Sequence, residues 1–227
     1  MNNCLLSYVS RNDFEIVSFD IFDTLVERKY KSPSDVFFVS GSRILGENNA
    51  DRYRFDRIKA EQLARSKKKS REVTIQEIFS ELPITYRNYE DLLLKEEIKE
   101  ELDCCSVNES IKQVYDLCIS LQKKVVIISD MYLPKNVLVE MLNNCNYSGY
   151  QNIYVSNEYD ASKRDGSLFG IVINNEKILN GKALHIGDSF KADYISAMKN
   201  GFKAYWVPRK QIISRKIYEK SIRSKYR

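Results

Sequence analysis

Several acidic, basic and hydroxyl side chains follow directly on short apolar runs. Asp20 and Asp23 follow EIVSF, Ser129 and Asp130 end KVVIISD, Lys163 lies in ASKRDG, and Asp188 and Asp193 occur in GDSFKAD after ALHI. If the apolar runs are neighbouring strands of one sheet, these side chains gather at one rim. Carboxylates brought that close repel one another unless a hard cation joins them, and Mg²⁺ takes oxygen ligands in an octahedral shell. An ammonium and a hydroxyl beside them can hold a phosphate, and a carboxylate with one oxygen free can attack phosphorus as a nucleophile.

The elements that must position these groups are legible as patterns. Apolar runs at 15–20, 124–129, 152–156, 183–187 and 203–207 are nearly continuous and read as strands covered on both faces. Amphipathic segments at 110–122, 134–143 and 192–200 lie between them, the last stopped by Gly201. Strand alternating with helix implies an α/β fold with a Rossmann-like, parallel, five-stranded sheet, whose ligands bind outside the carboxyl ends of the strands. The alternation breaks between about 33 and 103, where helical patterns run at 34–45, 52–66, 74–82 and 89–102. Thr74-Ile-Gln-Glu77 has the spacing of a capping box. The expected organisation is a discontinuous core, 1–29 and 107–227, interrupted by an all-helical insertion at 30–106 that serves as a lid.

Composition narrows the classes. The chain has 227 residues, 43% of them hydrophobic, with eight Gly and four Pro, so a packed core is expected and disorder is not. No apolar run approaches the length of a membrane span, and the first residues lack the pattern of a secretion signal. Five cysteines, none in a CxxC pair, fit a reducing cytoplasm. The net charge of +5 is concentrated: residues 209–227 carry +7, so the remainder carries −2. A nucleic-acid-binding body is therefore not expected. Within the tail, Ile213, Ile217 and Tyr218 suggest a basic amphipathic helix from about 209. It would either dock on the body with a solvated basic face or meet an anionic membrane surface or acidic partner.

The order SFDIFDTL, VVIISD, a lysine, then HIGDSFKAD resembles the four signature motifs of the haloacid dehalogenase-like hydrolase superfamily. The likeness covers about residues 14–29 and 107–207, and the helical insertion stands where capped phosphatases of that superfamily carry their cap. FDIFDTL with SDMYLP further resembles a bacterial subgroup found beside glycosyltransferases of surface-polysaccharide pathways. The resemblance implies a Mg²⁺-dependent phosphatase working through an aspartyl-phosphate. Asp20 would be nucleophile and metal ligand, and the Phe22 carbonyl, Asp188 and Asp193 would be further ligands. Ser129, beside Asp130, would bind phosphoryl oxygens, and Lys163 would neutralise nucleophile and phosphate. The implied substrate is a small phosphorylated metabolite, a sugar phosphate or sugar-nucleotide derivative of capsular polysaccharide synthesis.

One departure matters. Phosphatases of the superfamily usually place an acid/base Asp two positions after the nucleophile, and here that residue is Phe22; the usual Gly one step later is Asp23. Asp23 would substitute, water or a cap residue would supply the proton, or the chain would be slow or non-hydrolytic. The competing functions are accordingly an accessory module that binds phosphate and partners a glycosyltransferase, or a metal-independent dehalogenase. Other candidates have plain structural readings beside the functional ones. Asp130 reads as a structural or phosphate-cradle residue, binding phosphate with Ser129 and Lys163, before a catalyst, and His185, the only histidine, as a core residue. Arg57, Glu61 and Arg65 share a helix face as an ion-pair ladder, unless Arg57 or Arg65 reaches a substrate anion.

Overall fold

The computed structural model describes residues 2–68 and 72–209, so the tail helix expected beyond Arg209 lies outside the described residues. Seven strands occur among the described residues: β1 (Ile16–Phe19), β2 (Val26–Arg28), β3 (Cys105–Val107), β4 (Lys124–Ser129), β5 (Asn152–Val155), β6 (Ala183–Gly187) and β7 (Lys203–Trp206). The short strands β2 and β3 pair with each other. The other five form one sheet in the order β5-β4-β1-β6-β7, with every neighbouring pair parallel. The five-stranded, Rossmann-like α/β fold expected from the apolar runs is therefore present.

The chain divides into two compact units, one of residues 1–27 and 106–209 and one built on 28–105. In the sheet unit both faces are covered, which is why its strands read as continuous apolar runs. On one face Ile16, Val126, Ile128 and Tyr154 pack with Leu168, Phe169 and Val172 of the helix Ser167–Glu176. On the other, Phe19 meets Tyr115 of the helix Glu109–Ser120 at 5.5 Å between ring centroids, and Tyr115 meets Tyr147 edge-on at 4.9 Å. The sheet runs outward from β1 through β4 to β5, then returns to the opposite flank of β1 with β6. That reversal makes the carboxyl end of β1 a topological switch point, the place where open α/β sheets bind ligands.

The second unit packs the helices Asp35–Leu45, Glu47–Lys67, Ile75–Phe79 and Glu90–Cys104 around a small apolar core. The capping box at Thr74 and Glu77 forms as its spacing implied. Gly41 allows close helix packing, since a Cβ there would lie 2.5 Å from the Tyr53 ring. The interior also holds charge. Arg57 and Glu97 are both fully buried and pair through Nε–Oε2 at 2.9 Å and Nη2–Oε1 at 2.6 Å, with the guanidinium 4.3 Å from the Phe37 ring centroid. Glu101 accepts from Arg28, and Glu100 pairs with Arg43 at 2.6 Å. These pairs explain why the long helices lack a clean apolar stripe. Arg57 also lies 3.6 Å from Glu61, so the ladder that its spacing implied is present, and with no exposed surface its guanidinium faces these partners and not, as the alternative had it, a substrate anion. Arg65, 41% exposed at its side chain, pairs with Glu61 at 2.9 Å and with Glu72.

Breaking one half of such a pair strands the other charge. Arg57→Met should lower unfolding stability by about 3–5 kcal/mol in urea denaturation. The double variant Arg57→Met/Glu97→Leu should recover most of that loss. Equal losses in both would show that the pair is not what orders this unit.

Candidate active site

Each side chain at the rim is delivered by a local feature of the chain. Asp20 follows the last residue of β1, and its N–H continues the ladder to the Ile186 carbonyl at 3.0 Å. The chain then turns sharply, with Thr24 and Val26 both donating to the Ile21 carbonyl. Asp23 sits in this turn at φ +57°, a left-handed conformation that Asp tolerates better than most residues. Thr24 Oγ1 donates to Asp20 Oδ2 at 3.3 Å. Phe22 is half-buried in the same turn and bridges to Val26.

Asp188 and Asp193 come from the end of β6 and the short π-helix that follows, Phe190–Ser196. Ser189 caps that helix, accepting from the Ala192 N–H, while its own N–H donates to Asp193 Oδ2 at 2.7 Å. The helix start thus binds the Asp193 carboxylate back against the strand end. Gly187 makes room for it, since a Cβ there would fall 2.4 Å from Asp193 Cγ. Lys163 lies in the turn after β5, held by its N–H donating to Asp130 Oδ1 at 2.8 Å. Asp130 is thereby the anchor of the lysine loop.

The side chains meet where the topology reverses. Lys163 Nζ lies 2.5 Å from Asp20 Oδ1 and 2.6 Å from Asp193 Oδ1, with all three residues buried. Asp20, Asp188 and Asp193 each offer an oxygen, and these oxygens all lie within 4.8 Å of one another. Ser129 Oγ, at the end of β4, is buried and finds no hydrogen-bond partner among the described residues. A set of three buried carboxylate oxygens beside an unsatisfied hydroxyl fits a hard divalent cation with an anionic oxygen ligand. Asp20, Asp188 and Asp193 are the residues that would hold such an ion.

The electrostatics divide the three acids. Burial pushes the Asp20 carboxyl up to about 8, against the pull of Lys163 and with Asp193 and Asp188 adding to the rise. Asp193 is buried too, but Lys163 and His185 hold it below its ordinary value. Burial also raises Asp188, opposed by Arg209. The Lys163 ammonium stays charged, because Asp193, Asp20 and Asp130 outweigh its desolvation.

Three contributors carried no obvious signal. His185, in β6, reaches Asp193 Oδ1 with Nε2 at 3.2 Å, while its Nδ1 lies 2.8 Å from Ser18 Oγ on the neighbouring strand. Nε2 thus faces the Asp193 carboxylate, while Ser18 Oγ, which also donates to the Leu184 carbonyl at 3.2 Å, meets Nδ1. His185 is a core residue, as its place in the strand implied, and it also orients a site carboxylate. Arg209 pairs with Asp188 and, through Nε at 3.2 Å, with Asp23. Trp206 Nε1 donates to the Asp188 carbonyl at 2.8 Å. Only pairing between distant segments reveals these contacts.

By sequence the chain matches no family model and no curated protein. By structure it is similar to many solved chains. One is a HAD-type hydrolase, YfnB from Bacillus subtilis, crystallised with magnesium: TM-score 0.63, 13% identity, covering 92% of this chain and 98% of that one. Another is L-2-haloacid dehalogenase from Xanthobacter autotrophicus, with TM-score 0.61 and 14% identity over 92% of this chain and 84% of that one. A haloacid dehalogenase-like hydrolase from Xanthomonas campestris aligns at TM-score 0.58 and 13% identity over 93% and 91% of the two chains. The chain has the fold of the haloacid dehalogenase-like hydrolases.

Because His185 is the sole histidine, its imidazole resonances can be followed without assignment. Burial lowers its pKa below the ordinary 6.5. An unfolded chain binds that proton more readily, so this group's contribution to stability is full above about pH 6.5 and is lost as pH falls towards the folded value. A pH titration of the imidazole resonances should give a midpoint below 6.5. A midpoint at or above that value would show that burial does not dominate at His185.

Proposed function

We propose that the chain is a Mg²⁺-dependent phosphatase that moves the phosphoryl group of a small phosphomonoester to Asp20 and then to water. The observation that carries this reading is the convergence of Asp20, Asp188 and Asp193 on one point beside Lys163 and the unpartnered Ser129 hydroxyl. Displacement of halide by a carboxylate has no need of three buried acids, whereas a phosphate oxyanion needs cations and donors around it. YfnB, with the same fold, was crystallised with magnesium.

In this scheme an oxygen of the ionised Asp20 carboxylate attacks phosphorus, the ester P–O bond breaks, and the leaving oxygen takes a proton from solvent water. A second water then attacks the phosphorus of the aspartyl-phosphate and gives up a proton to solvent, and the P–O bond to Asp20 breaks to release inorganic phosphate and the free carboxylate. Ser129 Oγ donates to a phosphoryl oxygen and Lys163 neutralises charge on Asp20 and the transferring group. Asp193, fixed by His185 and the Ser189 N–H, keeps Lys163 in place. Bound Mg²⁺ would supply the remaining positive charge that lets two anions approach.

The leaving oxygen is the weak point. Phe22 carries no proton, and the Asp23 carboxylate is engaged by Arg209. The substrate class implied by the sequence resemblance is a phosphorylated sugar or sugar-nucleotide derivative, and a glycosyltransferase is the partner it implies. No described helix is long and apolar enough to cross a membrane.

Phosphate release from a panel of phosphomonoesters should require Mg²⁺ and fall at least about 10³-fold in Asp20→Asn. Without a positioned acid, aryl phosphates should outrun alkyl phosphates of similar size by about 10²–10⁴-fold. Equal release by wild type and Asp20→Asn would overturn the hydrolase reading. Halide release without metal would favour the dehalogenase alternative.

A further inference from the structure

Arg209 reaches the rim by a route written in the last strand. The β7–β6 ladder extends past Trp206, with the Val207 N–H donating to the Gly187 carbonyl at 2.8 Å. The Ser189 N–H, which would carry the ladder on, is given to Asp193 Oδ2 instead, and Pro208, whose ring nitrogen faces away from β6, follows at the sheet edge. The next side chain is therefore released at the carboxyl edge of the sheet, beside Asp188. Its Nε pairs with Asp188 Oδ2 and lies 3.2 Å from Asp23 Oδ2. The Asp188 side chain is 4% exposed while that of Arg209 is 36% exposed, so the guanidinium approaches the buried carboxylate from the solvent side.

Asp20, Asp23, Asp130, Asp188 and Asp193 crowd this rim with carboxyl groups, with Lys163 and Arg209 set among them. A divalent cation would be drawn to the same carboxylates. Yet the Arg209 charge has the same sign as that cation, and it takes up an oxygen of a carboxylate that the cation would share. The geometry points to Arg209 as a tethered competitor of the divalent ion, a residue that sets how much free cation the site needs before it fills. This inference rests on the reading of Asp20, Asp188 and Asp193 as a Mg²⁺ site. It adds that the affinity is held down by a residue of the chain's own last strand. Lysine could keep the charge without the planar fork, so charge and hydrogen-bond geometry can be separated.

The test titrates the full-length protein with Mn²⁺, following the free ion by electron paramagnetic resonance, for wild type, Arg209→Met and Arg209→Lys. Thermal melting in chelator first checks that each is folded. Removing a like charge a few ångströms from the ion should tighten binding by about tenfold in Arg209→Met, with Arg209→Lys close to wild type. Equal or weaker binding by Arg209→Met would overturn the inference, and a loss of about 10–100-fold would make Arg209 a support of the ligand set. If neither wild type nor Arg209→Met binds the ion, the Mg²⁺ reading itself fails and the competitor role falls with it. Binding by wild type with an unchanged ratio would remove the competitor role alone.

Discussion

The Lys163 ammonium, held between Asp20 and Asp193, is the interaction on which the sheet unit's rim depends. Three buried charges within hydrogen-bond reach are tolerable only together, since a lone buried carboxylate or ammonium costs several kcal/mol. The lysine ties the end of β1 to the segment after β6, and the Asp130 contact with its backbone ties both to the end of β4. Strands whose order reverses at β1 are thus joined across the reversal by charge as well as by the ladder. The same arrangement holds Asp20 by Lys163 on one oxygen and by Thr24 on the other.

Around this centre, small features keep one carboxylate in register. Gly187 lacks the Cβ that would collide with Asp193, the Ser189 N–H binds its second oxygen, and His185 Nε2 faces the first. His185 is itself fixed by Ser18, its register neighbour on β1. A polar pair inside an apolar sheet is thus accounted for by the acid it serves. The helical unit solves a comparable problem differently, burying Glu97, Glu100 and Glu101 against Arg57, Arg43 and Arg28.

Much of this was legible in the sequence, for a physical reason. Strands covered on both faces must be apolar throughout, so the runs at Lys124–Ser129 and Ala183–Gly187 mark their own limits. The polar residues that follow such runs must lie at the rim, which is how Asp20, Ser129, Lys163, Asp188 and Asp193 could be singled out. The helix Ser167–Glu176 was not read, because LFGIVI is apolar on consecutive positions and shows no polar face. Arg57 looked like a surface ladder because its partner Glu97 lies forty residues away in the chain and supplies a buried charge that no local pattern reveals. Arg209 counted as one more charge of a basic tail, and only the extension of β7 to Val207 brings it to Asp188.

The central claim is that Asp20 is the atom donor that takes the phosphoryl group. It is tested most directly by acid quench during turnover of a reactive phosphomonoester with Mg²⁺, followed by peptide mass spectrometry. The account predicts a phosphoryl adduct on Asp20 that disappears on a chase with excess unreactive anion. Continued phosphate release with no adduct, or with the adduct on another side chain, would contradict it.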